Sequence, residues 1–386
     1  MTLLLLALLG HGFLWIGLVN RLHAVPLRRR RIKQLTLAMF AAAALIPIAL
    51  GWRYFSTWDD LGWGLGRLSW PVIAYLALCW TVAAITLLRF VALRILQRRP
   101  AVVRFHQRRR AAIDPALTHG PGAARQHHFL TRLPRNEMLQ LEESRWMLDV
   151  PRLTPALDGL TILHLSDFHF IGRVGKAYFC EVVRIANQMR PDLICITGDL
   201  VDRSRCFDWI AETLGRLSAR CGVYYVLGNH DARVDVARLR QILQGHGLVD
   251  VGSRWLSMEI NGSPVALAGD ERPWFDDWSG SDAAPPGEAL RIVLAHTPDR
   301  LGWARRQNAD LMLAGHTHGG QIRIPPLGAI FAPTRSGVKH SSGVFFASPT
   351  ILHVTRGVSS DVPMRWNCRP EVAWLRLCVN PVSARS

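Results

Sequence analysis

The chain has 386 residues, enough for an α/β core beside a second unit and too many for a small disulfide-held scaffold. Its net charge is +17, but +13 of this falls in residues 1–160, and 43 of the 46 basic residues are arginines. The rest carries only +4, which argues against the basic face of a nucleic-acid-binding domain, and the seven cysteines of the whole chain form no CxxC pair and read as reduced thiols.

In chain order, three apolar runs come first: Leu3 to Val19, Leu35 to Trp52, and Trp70 to about Leu88. Each approaches the roughly 20 residues that a helix needs to cross a hydrocarbon core. Three such runs in succession without an amphipathic stripe predict an all-α transmembrane region over 1–96. Arg21, Arg28, Arg29, Arg30, Arg31 and Lys33 separate the first two runs, and Arg94, Arg98, Arg99, Arg104, Arg108, Arg109 and Arg110 follow the third. The middle connector instead balances Arg53 and Arg67 against Asp59 and Asp60. Basic loops face the cytoplasm, so the amino terminus is expected outside and everything after the third helix inside. No charged side chain precedes the first run, which predicts a retained anchor rather than a cleaved signal. Gly10, His11, Gly12 and Gly17 dilute the first run, and Pro47 is expected to kink the second helix. Residues 97–141, with Pro100, Pro115, Pro121 and Pro134 and with His119, His127 and His128, read as a basic linker near lipid headgroups.

From about Glu142 the texture becomes that of a layered α/β domain, expected over 142–386. Leu160 to Leu165, Leu193 to Thr197, Val223 to Leu227, Val265 to Ala268, Ile292 to Ala295 and Leu311 to Ala314 read as buried strands. Helical patterns lie between them at about 175–190, 207–219, 234–245 and 298–307. Polar clusters follow these strands: Ser166-Asp167-Phe168-His169, Gly198-Asp199-Leu200-Val201-Asp202, Gly228-Asn229-His230-Asp231, His296, and Gly315-His316-Thr317-His318. Ligand sites in open α/β sheets form outside the carboxyl ends of strands, so clusters distant in sequence are expected to converge on one crevice.

Carboxylates, imidazoles and one amide, with no thiolate, suit Mn²⁺, Fe²⁺ or Zn²⁺. Asp167, His169, Asp199, Asn229, His296, His316 and His318 offer seven ligands, the supply for two divalent ions sharing one bridging carboxylate. Each cluster alone is weak, since Asp-x-His is often a chance pairing and Gly-Asn-His-Asp a turn. Five of them in order, each after a strand, are specific.

This pattern of DFH, GDLVD, GNHD, a lone histidine and GHTH, spread over about residues 158–357, resembles the calcineurin-like metallophosphoesterases. In detail LHLSDFHF and GHTHGGQIRIPPLG look most like its membrane-anchored bacterial branch, which includes phosphodiesterases and enzymes hydrolysing UDP-2,3-diacylglucosamine. The loop LAGDERPWFDDWSG fits that branch only loosely. The resemblance implies an α/β sandwich with its metal site at strand ends, and two divalent ions, Mn foremost, with Fe or Zn as alternatives. It places one ion on Asp167, His169, Asp199 and His318 and the other on Asp199, Asn229, His296 and His316, with Asp199 bridging and a hydroxide between the ions as nucleophile. His230 is implied to bind a phosphoryl oxygen or protonate the leaving group, and Asp231 is expected to orient its ring, with Asp202 in a supporting role. Trp274, Phe275 and Trp278, and the segment Ile324 to Phe331, could border an acyl chain, and Arg323, Arg335 and Lys339 could neutralise a diphosphate; ordinary packing reads equally well.

The resulting expectation is a phosphoesterase in the bacterial inner membrane with its catalytic domain in the cytoplasm. Its partners would be the lipid bilayer and a phosphorylated, lipid-linked substrate such as UDP-2,3-diacylglucosamine, with no nucleic acid. A phosphodiesterase for a nucleotide or glycerophosphodiester, and a non-catalytic membrane-bound sensor, are the competing readings. The complete ligand set together with His230 disfavours the sensor.

Overall fold

The computed structural model describes residues 2–27, 29–56, 69–96, 100–114, 130, 133–275, 278, 283–285, 287 and 290–380. Arg28, Asp59, Asp60, Arg67, Arg98, Arg99, Pro115, His119, Pro121, His127 and His128 lie outside the described residues. The chain forms two compact units, residues 1–98 and 99–386.

The first unit consists of α1 (Thr2–His23), α2 (Arg29–Ser56) and α3 (Trp70–Leu96). Each contains a stretch of 22 or 23 residues long and apolar enough to cross a membrane. Leu37, Leu45, Ile48 and Leu88 are exposed, as suits helices solvated by lipid rather than by water. Pro47 lies inside α2 without ending it. Two of the residues that dilute α1, Gly10 and His11, are packing positions. A Cβ on Gly10 would stand 1.7 Å from the Cys79 carbonyl oxygen of α3, so only glycine permits that approach. The His11 Nε2–H donates to the Ala43 carbonyl of α2 (2.8 Å), leaving Nδ1 to accept from the Tyr75 hydroxyl of α3 (2.7 Å).

The second unit runs β1 (Val103–Ala112), β2 (Gln140–Val150), β3 (Thr161–Leu165), α4 (Lys176–Gln188), β4 (Leu193–Thr197), β5 (Val223–Val226), α5 (Val236–Gly245), β6 (Leu248–Asp250), β7 (Arg254–Ile260), β8 (Ser263–Asp270), β9 (Leu290–Ala295), α6 (Leu301–Arg306), β10 (Leu311–Ala314), β11 (Arg323–Ile324), β12 (Gly328–Ala329), β13 (Gly343–Ala347), β14 (Thr350–Val354) and β15 (Glu371–Val379). One sheet has the order β1-β2-β15-β3-β4-β5-β6, the other β13-β14-β10-β9-β8-β7, and β11-β12 is a separate hairpin. The central strands β3 to β6 and β8-β9-β10-β14 are parallel.

Successive side chains of these strands enter different layers. Ile162, Leu193, Cys195, Val226, Leu267, Ile292 and Leu313 form one core between the two sheets. Leu163, Ile194 and Ile196 face the other way and pack with Tyr178, Phe179 and Val182 of α4. On the second sheet Val293 and Met312 meet Trp303 and Ala304 of α6. The unit is thus a helix–sheet–sheet–helix sandwich, and burial on both faces explains the continuous apolar runs of its parallel strands.

Two expectations need correction. The stretch 97–141 is not linker throughout, because β1 pairs antiparallel with β2 at the edge of the first sheet. Its register sets Arg109 opposite Glu143 and Arg110 opposite Glu142, and Arg108 reaches Glu142 at 3.4 Å, so the acidic neighbour makes a strand of an arginine-rich segment. The helix expected over 207–219 is instead two 3-10 segments, Ser204–Glu212 and Leu214–Arg216.

Candidate metal centre

The seven predicted ligands converge where strands of both sheets end. Asp167 and His169 follow β3, Asp199 follows β4, Asn229 follows β5, His296 follows β9, and His316 and His318 follow β10. Backbone bonds hold these loops in register: Asp167 N donates to Gly198 O (3.0 Å), His169 N to Asp199 O (2.9 Å) and Gly315 N to His296 O (2.9 Å). Asp167, His169, Asp199, His316 and His318 all have positive φ, between 50° and 69°. For non-glycine residues this backbone is strained by about 1–3 kcal/mol each, and such strain persists where surrounding structure over-determines it, as at functional sites. The glycines serve mainly as points of close approach. A Cβ on Gly315 would sit 1.9 Å from Ser166 Oγ and 2.6 Å from Asp167 Oδ2.

The side chains form two groups around Asp199. Asp167, His169 and His318 form the first, with His169 Nε2 3.3 Å from His318 Nε2. Asp199, His296 and His316 form the second, with His316 Nδ1 3.0 Å from His296 Nε2 and Asn229 Oδ1 3.0 Å from the same nitrogen. Asp199 Oδ2 lies 3.6 Å from His169 Nε2 and 3.3 Å from His296 Nε2, between the groups.

The ring tautomers fit a metal site. The outward nitrogens of His296, His316 and His169 face the Thr197 carbonyl (2.7 Å), the Pro333 carbonyl (3.0 Å) and Asp202 Oδ2 (2.9 Å), acceptors that take an N–H. That leaves the inward nitrogens free to bind a cation, the arrangement found around ligating histidines. The electrostatics agree. Burial opposes protonation of His169, but Asp202, Asp199 and Asp167 outweigh it and raise it to about 9. Asp199 does the same for His296, also to about 9. Burial and the neighbouring His296 push His316 down to about 3, while burial and His169 hold His318 well below the usual range. The buried carboxylates therefore favour positive charge at the centre of the pocket.

One expected role falls to a different residue. Asp231 does not orient His230. It is fully buried, with Oδ1 accepting from Leu200 N (2.9 Å) and Val201 N (2.8 Å) and Oδ2 from Gly228 N (2.8 Å). Its position at the start of a 3-10 turn directs it back beneath the loops after β4 and β5. The residue that bonds His230 Nδ1 is Asp202, which also holds His169 Nδ1 and Arg233 (2.7 Å). The His230 ring stands beside His169, with centroids 4.4 Å apart, and His230 N donates to Asp199 Oδ1 (2.8 Å).

Sequence reasoning missed Arg365, which is fully buried and donates to the His318 carbonyl (3.0 Å) and the Arg356 carbonyl (2.8 Å). No spacing marks it, because a contact from a segment 47 residues away carries no local pattern. Of the aromatic loop, Trp274 lies beside His316 and His296, with centroids 5.0 and 5.4 Å away. Phe275 packs on the α4 side of the first sheet, and Trp278 packs against Trp303. Arg323 donates to Ser342 Oγ (2.8 Å), and Arg335 and Lys339 are exposed.

A sandwich whose strand ends gather carboxylates, imidazoles and an amide around a buried acidic centre defines a metal-dependent hydrolase. Residues 160–320 match the family model of calcineurin-like phosphoesterases. The phosphodiesterase YaeI of Escherichia coli K12 is 32% identical over 224 residues, 56% of this chain and 81% of that protein. An uncharacterized metallophosphoesterase of Bacillus subtilis, YkuE, is 27% identical over 56% of this chain and 78% of its own length. A zebrafish (Danio rerio) transmembrane protein with a metallophosphoesterase domain is 30% identical over 58% of this chain and 54% of its length. The chain belongs to the calcineurin-like metallophosphoesterases and is a metal-dependent phosphohydrolase.

Proposed function

We propose that this protein is a membrane-anchored phosphodiesterase or diphosphatase acting on a lipid-linked substrate at the cytoplasmic face of the bacterial inner membrane, with UDP-2,3-diacylglucosamine as the specific candidate. The reading is supported by one chain that carries both a convergent set of seven candidate metal ligands and three helices of membrane-spanning length. A soluble nucleotide hydrolase gains little from such helices, whereas tethering beside a bilayer-embedded substrate raises its effective concentration. The arginines flanking α2 and α3 support the cytoplasmic orientation.

Asp167, His169, Asp199 and His318 would hold one ion, and Asp199, Asn229, His296 and His316 the other; the oxygen- and nitrogen-rich set favours Mn²⁺. Bound divalent ions supply water activation and neutralise phosphoryl charge. The residues do the rest. Asp199 sets the spacing of the two groups, and Asp202 fixes the rings of His169 and His230. His230 keeps Nδ1 against Asp202 and so presents Nε2, the atom that would donate a proton to the leaving oxygen. Trp274, against His296 and His316, would limit water on that side.

The reading is tested by initial rates of the purified full chain with Mn²⁺ on the diacylated sugar nucleotide, its deacylated counterpart and a cyclic nucleotide in one detergent. The diacylated substrate should be fastest. Equal or better rates without acyl chains would overturn the lipid reading and favour a nucleotide or glycerophosphodiester.

A further inference from the structure

The segment Ile322 to Phe331 leaves the metal centre four residues after His318 and folds into the β11-β12 hairpin, where Arg323 pairs with Ala329 and Ile324 with Gly328. Trp366 joins its edge: Arg323 N donates to Trp366 O (2.9 Å) and Trp366 N to Gln321 O (3.1 Å). Gln321 Nε2 brings in the Val362 carbonyl at 2.9 Å. This small assembly exposes Ile322, Ile324, Leu327, Phe331, Val362 and Trp366, each 36–47% accessible. Pro325 and Pro326 at its tip are exposed as well. Scattered apolar residues on a surface need no explanation, but here they are contiguous along paired backbone.

Charge and composition indicate what covers them. Arg323 lies within the hairpin and bonds Ser342 Oγ, three residues after exposed Lys339, and exposed Arg335 follows the hairpin segment by four residues. The nearby Asp361 is engaged by Arg173 at 2.6 Å. An apolar tip, a tryptophan and a basic border match the layering of an anionic bilayer surface, where acyl chains, interface and negative headgroups follow one another outward. A water-soluble partner with a matching groove would have no comparable need of the basic border.

We propose that the hairpin Ile322 to Phe331, with Val362 and Trp366, is a second membrane contact, inserting into an anionic lipid leaflet. This rests on the membrane attachment proposed above. The hairpin and Trp366 are continuous with the two segments that hold His318, since Arg365 bonds the His318 carbonyl. Insertion therefore brings the rim of the metal centre to headgroup depth, where a lipid-borne phosphoester lies, without extracting the lipid.

The test uses the full chain with Cys180→Ser and Cys221→Ser, in nanodiscs of phosphatidylcholine and phosphatidylglycerol. An environment-sensitive fluorophore is placed singly by Leu327→Cys in the hairpin, Leu45→Cys in α2, or Gln244→Cys in α5, with lipid-borne nitroxide as quencher. Labels at 45 and 327 should be blue-shifted and quenched, and the label at 244 should be neither. Replacing phosphatidylglycerol with phosphatidylcholine should lessen quenching at 327 but not at 45. If 45 is quenched and 327 is not, the hairpin contact is wrong while the anchor stands, and the patch serves an acyl chain of the substrate or a protein instead. If neither is quenched, the anchor reading itself fails. Should Leu327→Cys not fold, Ile324→Cys reports from the same hairpin.

Discussion

Two aspartates three residues or fewer from a candidate metal ligand have opposite work. Asp202 spends both oxygens on the rings of His169 and His230, whereas Asp231 spends both on backbone N–H groups of the surrounding loops. Asp202→Asn should therefore lower hydrolysis by about 10–100-fold, because a partner that orients a candidate ligating histidine is lost. Asp231→Asn should cost about 1–3 kcal/mol by leaving buried donors poorly satisfied, with metal retained in the folded fraction. Rate and metal content per folded chain separate the two; an equal loss of rate per folded chain in both would restore Asp231 to a catalytic role. Sequence adjacency made Asp231 the natural partner of His230, but a 3-10 turn points it away, and the true partner arrives from the loop after β4. The convergence of the seven candidate ligands was legible because each lies just after a buried strand. Arg365 was not, since its only signature is burial.

Among the elements, parallel strands were the most legible, because burial on both faces writes an unbroken apolar run. The edge was not. β1 reads as a charged linker until Glu142 and Glu143 of β2 are set opposite it, and β2 and β15 carry buried charge of their own. Arg356, after β14, ties these strands together: it donates to Glu142 Oε1 (2.7 Å) on β2 and Glu371 Oε2 (3.1 Å) on β15, while its carbonyl accepts from Arg365. Burial opposes ionisation of Glu371, but Arg356 and His353 hold it well below the usual carboxylate range. A depressed carboxylate contributes stability that is complete above its unfolded pKa, about 4.3, and is lost as pH falls below that toward the folded value. Melting followed by near-ultraviolet circular dichroism should show a steep loss on that acid side. Glu371→Gln should be weaker by about 3–5 kcal/mol at neutral pH, with a shallower acid limb. An unchanged acid limb in the variant would mean that other carboxylates govern it.

At the scale of the whole molecule, the chain separates into two compact units at residues 98 and 99. The second sheet's edge strands β7 and β13 were not foreseen, because strands with half-exposed faces write a weaker pattern, and β14, though buried throughout, was missed because Thr350 and His353 interrupt its apolar run. Orientation rests on arginines that flank the helices. Reporter fusions after residue 60 and after residue 120 should report opposite compartments, with the second cytoplasmic. An external signal from the second fusion would reverse the proposed topology.

The central claim joins metal to hydrolysis at one centre, and it is tested most directly by titrating Mn²⁺ into metal-stripped full chain while metal content and hydrolysis of a chromogenic aryl phosphodiester are followed together. The wild-type chain should reach two ions and gain activity as they bind. Asp199→Ala should lose both, and His230→Ala should keep its metal while losing on the order of 10²-fold in rate. Full metal loading with no hydrolysis of any phosphoester, or loss of metal from His230→Ala, would contradict this account.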